Sequence, residues 1–136
     1  MQELTLEARL ENIPTVVAFI DRELEAVDCP MKAQLQFDVA IDELFSNISR
    51  YAYAPETGSA TVRFEYDPAG RTAYVTFIDR GIPYDPLQKS DPDVSLSAEE
   101  REIGGLGIFM VKKTMDGMTY RREDGCNILT ISKHFG

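Results

Sequence analysis

The first ten residues alternate between polar and apolar side chains, with leucine or alanine at every even position from 4 to 10. This period of two is typical of a half-buried strand, and we predict a first strand over roughly residues 3–10. The period then changes to that of a helix, which begins near Asn12 and Pro14 and stops at Cys29-Pro30. The chain is therefore predicted to open with a strand and a helix.

A second, longer helical pattern covers residues 31–53. Apolar side chains recur there every three or four residues, which places them on one face of a helix. The pattern ends before a Pro-Glu-Thr-Gly turn at residues 55–58. The apolar face of this predicted second helix consists of Phe37, Ile41, Leu44, Ile48 and Tyr51.

Two pairs of β-like runs follow. The first pair, residues 60–66 and 73–78, is separated by an Asp-Pro-Ala-Gly sequence and predicts an antiparallel hairpin. The second pair, residues 118–122 and 127–133, is joined by Glu-Asp-Gly. Between the two pairs, a third helix is predicted over about residues 107–115.

Residues 79–103 are rich in Pro, Asp, Ser and Glu and show neither period. An aperiodic segment of this length is unusual in a compact domain unless it has a function, so we expect a lid. The elements together predict an α+β fold in one domain over residues 1–136. Its expected architecture is a two-layer sandwich, with a mostly antiparallel five-stranded sheet and three helices on one face.

The chain is strongly acidic, with a formal net charge of −9 and a pI near 4.6. This excess of carboxylates disfavours binding to nucleic acid or to anionic membranes. The basic pairs Lys112-Lys113 and Arg121-Arg122 are expected on solvated faces. No signal-peptide pattern opens the sequence, and no apolar run reaches the roughly 20 residues of a membrane span, so we expect a cytoplasmic protein.

The metal-binding and nucleophilic side chains are few. Cys29 and Cys126 have no CxxC partner, and His134 is the single histidine of the sequence. This set is too small for a structural zinc site or for a histidine-centred triad. We therefore expect two reduced, packed thiols and an ordinary histidine near the surface.

Glu43 and Asn47 are four residues apart in the predicted second helix and therefore lie on one face. At 100° per residue, both fall just outside the apolar stripe, at the rim where the wall of a site would lie. An ordinary Glu–Asn pair on a wet helix face is the alternative. Asp38 and Asp42 are expected on the other side, where they would only add solubility.

The run Phe-Ile-Asp-Arg-Gly at residues 77–81 places Asp79 at the end of a hydrophobic strand. A buried carboxylate there could accept a hydrogen bond from the exocyclic amine of adenine, while Gly81 would leave room for the ring. The alternative is that Asp79 caps the turn through its own backbone.

Gly104, Gly105 and Gly107 lead directly into an apolar, helix-period run. Glycine lets the backbone approach a ligand closely, and the free N–H groups of a helix start attract anions, so a phosphate is the expected ligand. The sequence has no GxxxxGK[ST] loop and no GxSxG motif, and Met110 stands where a dinucleotide fingerprint needs Gly or Ala.

In this order, segments 42–47, 79–81 and 104–107 resemble the N, G1 and G2 boxes of the GHKL ATPase superfamily. Their sequences are Asp-Glu-Leu-Phe-Ser-Asn, Asp-Arg-Gly and Gly-Gly-Leu-Gly. With Glu43 four residues before Asn47, the chain is similar to the anti-sigma-factor serine kinases, the RsbW-like family. The resemblance covers essentially the whole chain.

The resemblance implies a Bergerat-type site for ATP and Mg²⁺. Glu43 would be the catalytic base, Asn47 would bind Mg²⁺ and Asp79 would bind the adenine amine, under a lid of roughly residues 84–103. The other implied ATP-binding residues are Gly81 beside the base, Gly104, Gly105, Leu106 and Gly107 around the phosphates, and Arg101 near the terminal phosphate.

Two positions depart from the family pattern. Kinases of the family often carry an arginine immediately before the glycine box, whereas here Glu102 and Ile103 separate Arg101 from it. Arg50 and Tyr51 stand where members tend to carry an acidic residue and a histidine. The second departure concerns partner or phosphate contacts rather than nucleotide binding.

The resemblance further implies a protein serine kinase that forms a homodimer, phosphorylates a STAS-domain anti-anti-sigma protein and binds a sigma factor. The alternative is a regulatory module that binds ATP and partners without phosphoryl transfer, a reading that the displaced Arg101 keeps open. The ATP-binding half of a histidine kinase is disfavoured, because no dimerising helix with a phospho-acceptor histidine precedes the domain.

Overall fold

One layer of the molecule is a five-stranded sheet in which every neighbouring pair of strands is antiparallel. The structure is a computed structural model that describes residues 1–88 and 105–135. The order of strands across the sheet is β1-β2-β3-β5-β4. The strands are β1 (Gln2–Glu7), β2 (Ser59–Asp67), β3 (Thr72–Asp79), β4 (Gly117–Glu123) and β5 (Cys126–His134).

The second layer contains three α-helices: α1 (Ile13–Ala26), α2 (Met31–Asn47) and α3 (Gly105–Thr114). The α+β fold class, the five strands and the three helices are therefore as predicted. Short 3₁₀ turns cover Leu10–Asn12 and Pro86–Gln88. In the part of the chain that the structure describes, no helix has the length and apolar character needed to cross a bilayer.

The core lies between the helices and one face of the sheet. Inward and outward residues alternate along β2, β3 and β5. Val75 and Phe77 are inward residues of β3, and Leu129 and Ile131 are inward residues of β5. The opposite face of the sheet carries polar side chains, and Thr76 and Thr130 share a hydrogen bond there at 3.0 Å. The largest fully buried side chains include Phe37, Phe45, Phe77, Phe135, Ile20 and Leu24.

Both hairpins form where the turn residues predicted them. Between β4 and β5, Asp124 and Gly125 both have positive φ, 53° and 77°, as a two-residue hairpin turn requires. Between β2 and β3, Asp67 Oδ1 accepts a hydrogen bond from the Ala69 N–H at 3.1 Å. Aspartate fixes this turn through its side chain, as it commonly does.

The first strand and the second α-helix end earlier than predicted. The first strand ends at Glu7 rather than near residue 10, because Asn12 Nδ2 donates to the Glu7 carbonyl at 2.8 Å and the chain turns into a 3₁₀ segment. The second helix is α-helical only to Asn47 and continues as a π-helical turn, Ile48–Ala52. The Ser49 hydroxyl donates to the Phe45 carbonyl in this region at 2.8 Å, a bond that often bends helices.

The third helix begins at Gly105, two residues before its predicted start. Of the segment expected to form a lid, residues 84–88 are described, and they include the 3₁₀ turn Pro86–Gln88. The rest of the predicted lid, residues 89–103, lies outside the described residues, so the lid stays a prediction.

Asp38 does not lie on a solvated face as expected. It is half-buried beside Asp21 of α1, whereas Asp42 is exposed as predicted. The expectations of a surface histidine and of two free thiols are confirmed. His134 is exposed, with its Nδ1 at 2.8 Å from the Gly70 carbonyl oxygen, and both cysteines are free thiols.

Candidate functional site

Helix α2 presents Glu43 and Asn47 side by side, one turn apart. Both side chains are half-buried at the edge of the core. Asn47 Nδ2 donates a hydrogen bond to Glu43 Oε1 at 3.4 Å. The placement at the rim is therefore as the helical spacing predicted.

Burial raises the pKa of the Glu43 carboxyl above its usual range. The hydrogen bond from Asn47 opposes this shift, the charge of Asp42 adds to it, and the charge of Arg50 opposes it. A carboxylate whose pKa is raised holds a proton more tightly, and it is a stronger base once ionised. Glu43 thus has the electrostatics that a general base needs.

Asp79 ends β3 and is buried, with 6% of its surface exposed. Its Oδ1 accepts hydrogen bonds from the Gly81 N–H at 2.8 Å and from Asn127 Nδ2 at 2.9 Å. The bond to Gly81 is the turn cap that the sequence left open as an alternative. The same side chain also lines a cavity, so the cap and a carboxylate facing a ligand coexist.

The structure gives a different reason for the glycine at 81 from the one expected. A Cβ on Gly81 would collide with the carbonyl oxygen and carbonyl carbon of Ala52, at the end of the π-helical turn. The next residue, Ile82, donates its N–H to that same carbonyl oxygen at 2.9 Å. Glycine at position 81 therefore allows the chain after β3 to pack directly against Ala52, and the expectation that Gly81 leaves room for the ring stays a prediction.

Gly107 brings the start of α3 against Glu43. A Cβ on Gly107 would overlap the Glu43 carboxyl group. Gly105, Leu106 and Gly107 belong to the first turn of α3, where free N–H groups favour an anion. Arg101 and Gly104 lie outside the described residues, and the predicted phosphate contacts of the whole set stay predictions.

A cavity opens between α2 with its π-helical turn and the ends of β3, β4 and β5. Its polar groups include Asn47 from the helix and Asp79 and Asn127 from the sheet. Apolar walls with a few convergent polar groups are typical of small-molecule sites. Ile82 lines the cavity although 61% of its surface is exposed, which suits a flat ring at the mouth. Other apolar lining residues are Leu44, Ile48, Phe77, Ile108 and Leu129.

Sequence reasoning missed Asn127, which joins this cavity from β5. It lies directly opposite Asp79 in the β3–β5 register and has 6% of its surface exposed. A signal was present, because Asn127 occupies an inward position in the alternation that Leu129 and Ile131 continue. A polar side chain at such a position needs a partner, and Asp79 is one.

Two further residues hold the chain that follows β3, and neither was predicted to do so. Arg122 is exposed, as expected, and its Nη1 also donates to the Gly81 carbonyl at 2.8 Å. The Tyr53 hydroxyl donates to the Ser59 carbonyl at 2.6 Å and accepts from the Arg80 N–H at 2.7 Å. The backbone beside Asp79 is therefore fixed from several sides.

The sequence matches the family described as "Histidine kinase-like ATPase domain" over residues 6–133. This range includes all the candidate site residues and every element of the fold except the first residues of β1 and the last residue of β5. The chain belongs to the histidine kinase-like ATPase family. Its fold is accordingly of the GHKL, or Bergerat, type. Membership of this ATPase family implies that the domain binds ATP.

One relative of this chain is a serine/threonine-protein kinase. This chain is 30% identical to "Serine/threonine-protein kinase BtrW" of Bordetella bronchiseptica over 104 residues. The aligned region covers 75% of this chain and 72% of that kinase. The similarity therefore extends over most of both proteins.

A solved structure with a TM-score above 0.5 shows the same fold at lower identity. The histidine kinase domain of a blue-light activated histidine kinase from Erythrobacter litoralis superposes with a TM-score of 0.55 at 16% identity, over 90% of this chain. The match covers 61% of that structure, so this chain spans about three fifths of its length. Histidine kinase AdeS of Acinetobacter baumannii matches with a TM-score of 0.47 at 14% identity, over 100% of this chain and 70% of its own.

The residues of this ATPase domain fit the Mg²⁺ ion that accompanies ATP. The bond from Asn47 to Glu43 uses the amide nitrogen, so the amide oxygen is the atom that remains for a ligand. Mg²⁺ prefers oxygen ligands and usually keeps phosphate and water oxygens beside one or two from the protein. Among residues 1–88 and 105–135, no group of three or more His, Cys, Asp or Glu side chains is arranged to hold a metal ion.

Proposed function

We propose that this ATPase domain is an ATP- and Mg²⁺-dependent protein serine kinase of the anti-sigma-factor type. The observation that carries the proposal is the position of Glu43. Its carboxyl group lies beside Asn47, which lines the cavity, and against Gly107 in the first turn of α3. A serine hydroxyl that reaches the end of a triphosphate at this point would meet a carboxylate.

In the proposed reaction, the serine Oγ forms a bond to the γ-phosphorus of ATP while the bond from that phosphorus to the β–γ bridging oxygen breaks. ADP leaves, and the serine proton passes to Glu43. The raised pKa of Glu43 favours this transfer once the group is ionised. Mg²⁺ held by Asn47 would supply charge neutralisation at the phosphates, and most of the remaining catalysis would come from positioning.

The similarity to BtrW supports a kinase that acts on serine or threonine. The partners rest on the resemblance of the three boxes to anti-sigma-factor kinases: a STAS-domain anti-anti-sigma protein as substrate and a sigma factor as the protein that is bound. The homodimer rests on the same resemblance. The net charge of −9 agrees with partners other than nucleic acid or an anionic membrane.

The kinase proposal is tested by incubating the protein with Mg·ATP and a candidate STAS-domain protein and measuring phosphoserine by mass spectrometry. Glu43→Gln keeps the size of the side chain but removes the base, so we expect transfer to fall by about 100-fold or more while the ATP affinity stays within about threefold. Glu65→Gln, on the exposed face of β2, is the matched control and should behave as the parent.

A pH profile adds a second readout. The base acts when it is ionised, so the transfer rate of the parent should rise with pH through the raised pKa of Glu43, and Glu43→Gln should lack that rise. Transfer by Glu43→Gln at the parental rate would contradict the assignment of the base. Tight ATP binding by the parent without transfer to any STAS-domain protein would instead identify the alternative, a regulatory module.

A further inference from the structure

Asn127 uses its entire hydrogen-bonding capacity inside the site. Its Nδ2 donates to Asp79 Oδ1 at 2.9 Å and to the Ile82 carbonyl at 2.8 Å. Its Oδ1 accepts from the Tyr84 N–H at 3.3 Å and from the Tyr120 hydroxyl at 2.5 Å. An asparagine amide has two donor hydrogens and two acceptor lone pairs, so all four are engaged.

The chemistry of its neighbours fixes the orientation of this amide. With the opposite orientation, the amide oxygen would face the Asp79 carboxylate and the Ile82 carbonyl, and the amide nitrogen would face the Tyr84 N–H. Acceptors would then oppose acceptors and a donor would oppose a donor, in a place where the side chain is 6% exposed. Unpaired polar groups are costly when buried, so one orientation is strongly preferred.

This arrangement determines what Asp79 can offer to a ligand. Asn127 and the Gly81 N–H both donate to Oδ1 of Asp79. Within the described part of the chain, neither of these bonds uses Oδ2 of Asp79. Both amide hydrogens of Asn127 are already committed and cannot turn to a ligand. The polar edge formed by the two side chains therefore offers an acceptor and no donor.

We propose that Asn127 is a positioning residue for base selection: it holds Asp79 so that the cavity accepts a purine with an exocyclic 6-amino group and discriminates against one with a 6-oxo group. An amine donates to the open carboxylate oxygen, whereas a carbonyl oxygen meets an acceptor there. The inference rests on the proposed nucleotide site and goes beyond it by assigning its base selectivity to a residue outside the three boxes.

The same amide also fixes one wall of the cavity. Through the Ile82 carbonyl and the Tyr84 N–H, Asn127 ties the chain after β3 to β5. Ile82 and Tyr84 both line the cavity. Loss of the amide would therefore free the carboxylate and loosen the wall at the same time, so a test must separate selectivity from general loss of binding.

The test is calorimetric titration of the full chain with Mg·ATP and with Mg·ITP, whose base carries oxygen at position 6. The parent should bind ATP about tenfold or more tightly than ITP, since a hydrogen bond to a charged group is gained with one base and lost with the other. Asn127→Asp keeps the shape but loses both donors and places a second carboxylate against Asp79. We expect its preference for ATP to shrink to about threefold or less.

Asn127→Ala is a second variant for the case in which Asn127→Asp does not fold, and it should lose the preference in the same way. Asn12→Asp, outside the cavity, is the matched control and should keep the parental ratio. Equal weakening of both nucleotides in a folded Asn127 variant would identify a merely structural role and overturn the inference, as would a parent that binds ATP and ITP equally. A parent that binds neither nucleotide would overturn the proposed site as well.

Discussion

A side chain is excluded at Gly81 and at Gly107 for different reasons. At Gly81 the obstacle is the backbone of Ala52, which can move only if the π-helical turn moves. At Gly107 the obstacle is the carboxyl end of Glu43, which is a flexible side chain. A substitution at Gly107 should therefore be absorbed by displacing Glu43, and a substitution at Gly81 should not be absorbed locally.

This difference predicts coupling between Gly107 and Glu43. Alanine is favoured over glycine in a helix by up to about 1 kcal/mol, so Gly107→Ala should stabilise α3 once the carboxyl group is gone. We expect Gly107→Ala to lower the melting temperature in the parental background and to leave it equal or higher in the Glu43→Ala background. Thermal denaturation of the parent, the two single variants and the double variant measures the coupling, expected at about 1 kcal/mol.

An identical shift in both backgrounds would show that the Glu43 carboxyl is not the obstacle. Phosphoryl transfer by Gly107→Ala provides a second check, because displacement of the base should reduce it about tenfold or more. Gly125→Ala offers a contrast, since a Cβ there meets no atom within 4 Å and the strain would come from its φ of +77°.

Between the elements α1 and α2, Asp21 and Asp38 form a carboxyl pair that the sequence did not reveal. Oδ1 of each is buried and has no hydrogen-bond partner among the described residues. Burial raises the pKa of Asp38 to about 7, and a hydrogen bond with Asp21 and the charge of Asp21 add to the shift. Asp38 therefore changes its charge near neutral pH, beside a second carboxyl group.

The pair predicts a pH-dependent stability. The pKa of Asp38 is higher in the folded chain than its ordinary value of 3.8, so its contribution to stability is present below about pH 4 and is lost as pH rises through about 7. Asp38→Asn should therefore raise the melting temperature at pH 8, by about 3 °C after solvent screening is allowed for, and raise it clearly less at pH 5. Asp42→Asn, at an exposed position of the same helix, is the matched control.

Thermal denaturation of these variants between pH 5 and 8 makes the comparison, with the parent measured beside them because other groups titrate too. A stabilisation by Asp38→Asn that is the same at both ends of the range would show that Asp38 is ionised throughout and that its pKa is not raised.

Among the helices and strands, the hydrophobic periods predicted most of the elements but not their ends. Two β-like runs joined by Glu-Asp-Gly located the hairpin of β4 and β5, since these signals depend only on neighbours in sequence. The π-helical turn after Asn47 was not predictable, because its last carbonyl is bound by Ile82, thirty residues later in the chain. The end of β1 likewise depends on a side chain, Asn12, that the alternation does not include.

For the molecule as a whole, the fold class followed from the elements, whereas the strand order β1-β2-β3-β5-β4 did not. That order is what places Asn127 of β5 opposite Asp79 of β3. The spacing along one helix sufficed to pair Glu43 with Asn47. Asn127 was missed because its partner is 48 residues away and its own strand gives no sign of a ligand beyond one polar inward position.

The proposed nucleotide cavity is likewise a property of the whole molecule. Asn47 comes from the helical layer and Asp79 from the sheet, and the two meet only because the layers pack together. The roles assigned to Glu43, Asn47 and Asp79, and the selectivity assigned to Asn127, all depend on the binding of an adenine nucleotide in this cavity.

Calorimetric titration with Mg·ATP of the parent, of Asp79→Asn and of the control Asp42→Asn tests this claim most directly. We predict that the parent binds one ATP per chain, that Asp42→Asn binds equally well, and that Asp79→Asn binds about tenfold or more weakly, since it loses a hydrogen bond to a charged group. A parent that gives no binding heat and no thermal stabilisation by Mg·ATP, or an Asp79→Asn variant that binds like the parent, would contradict the account.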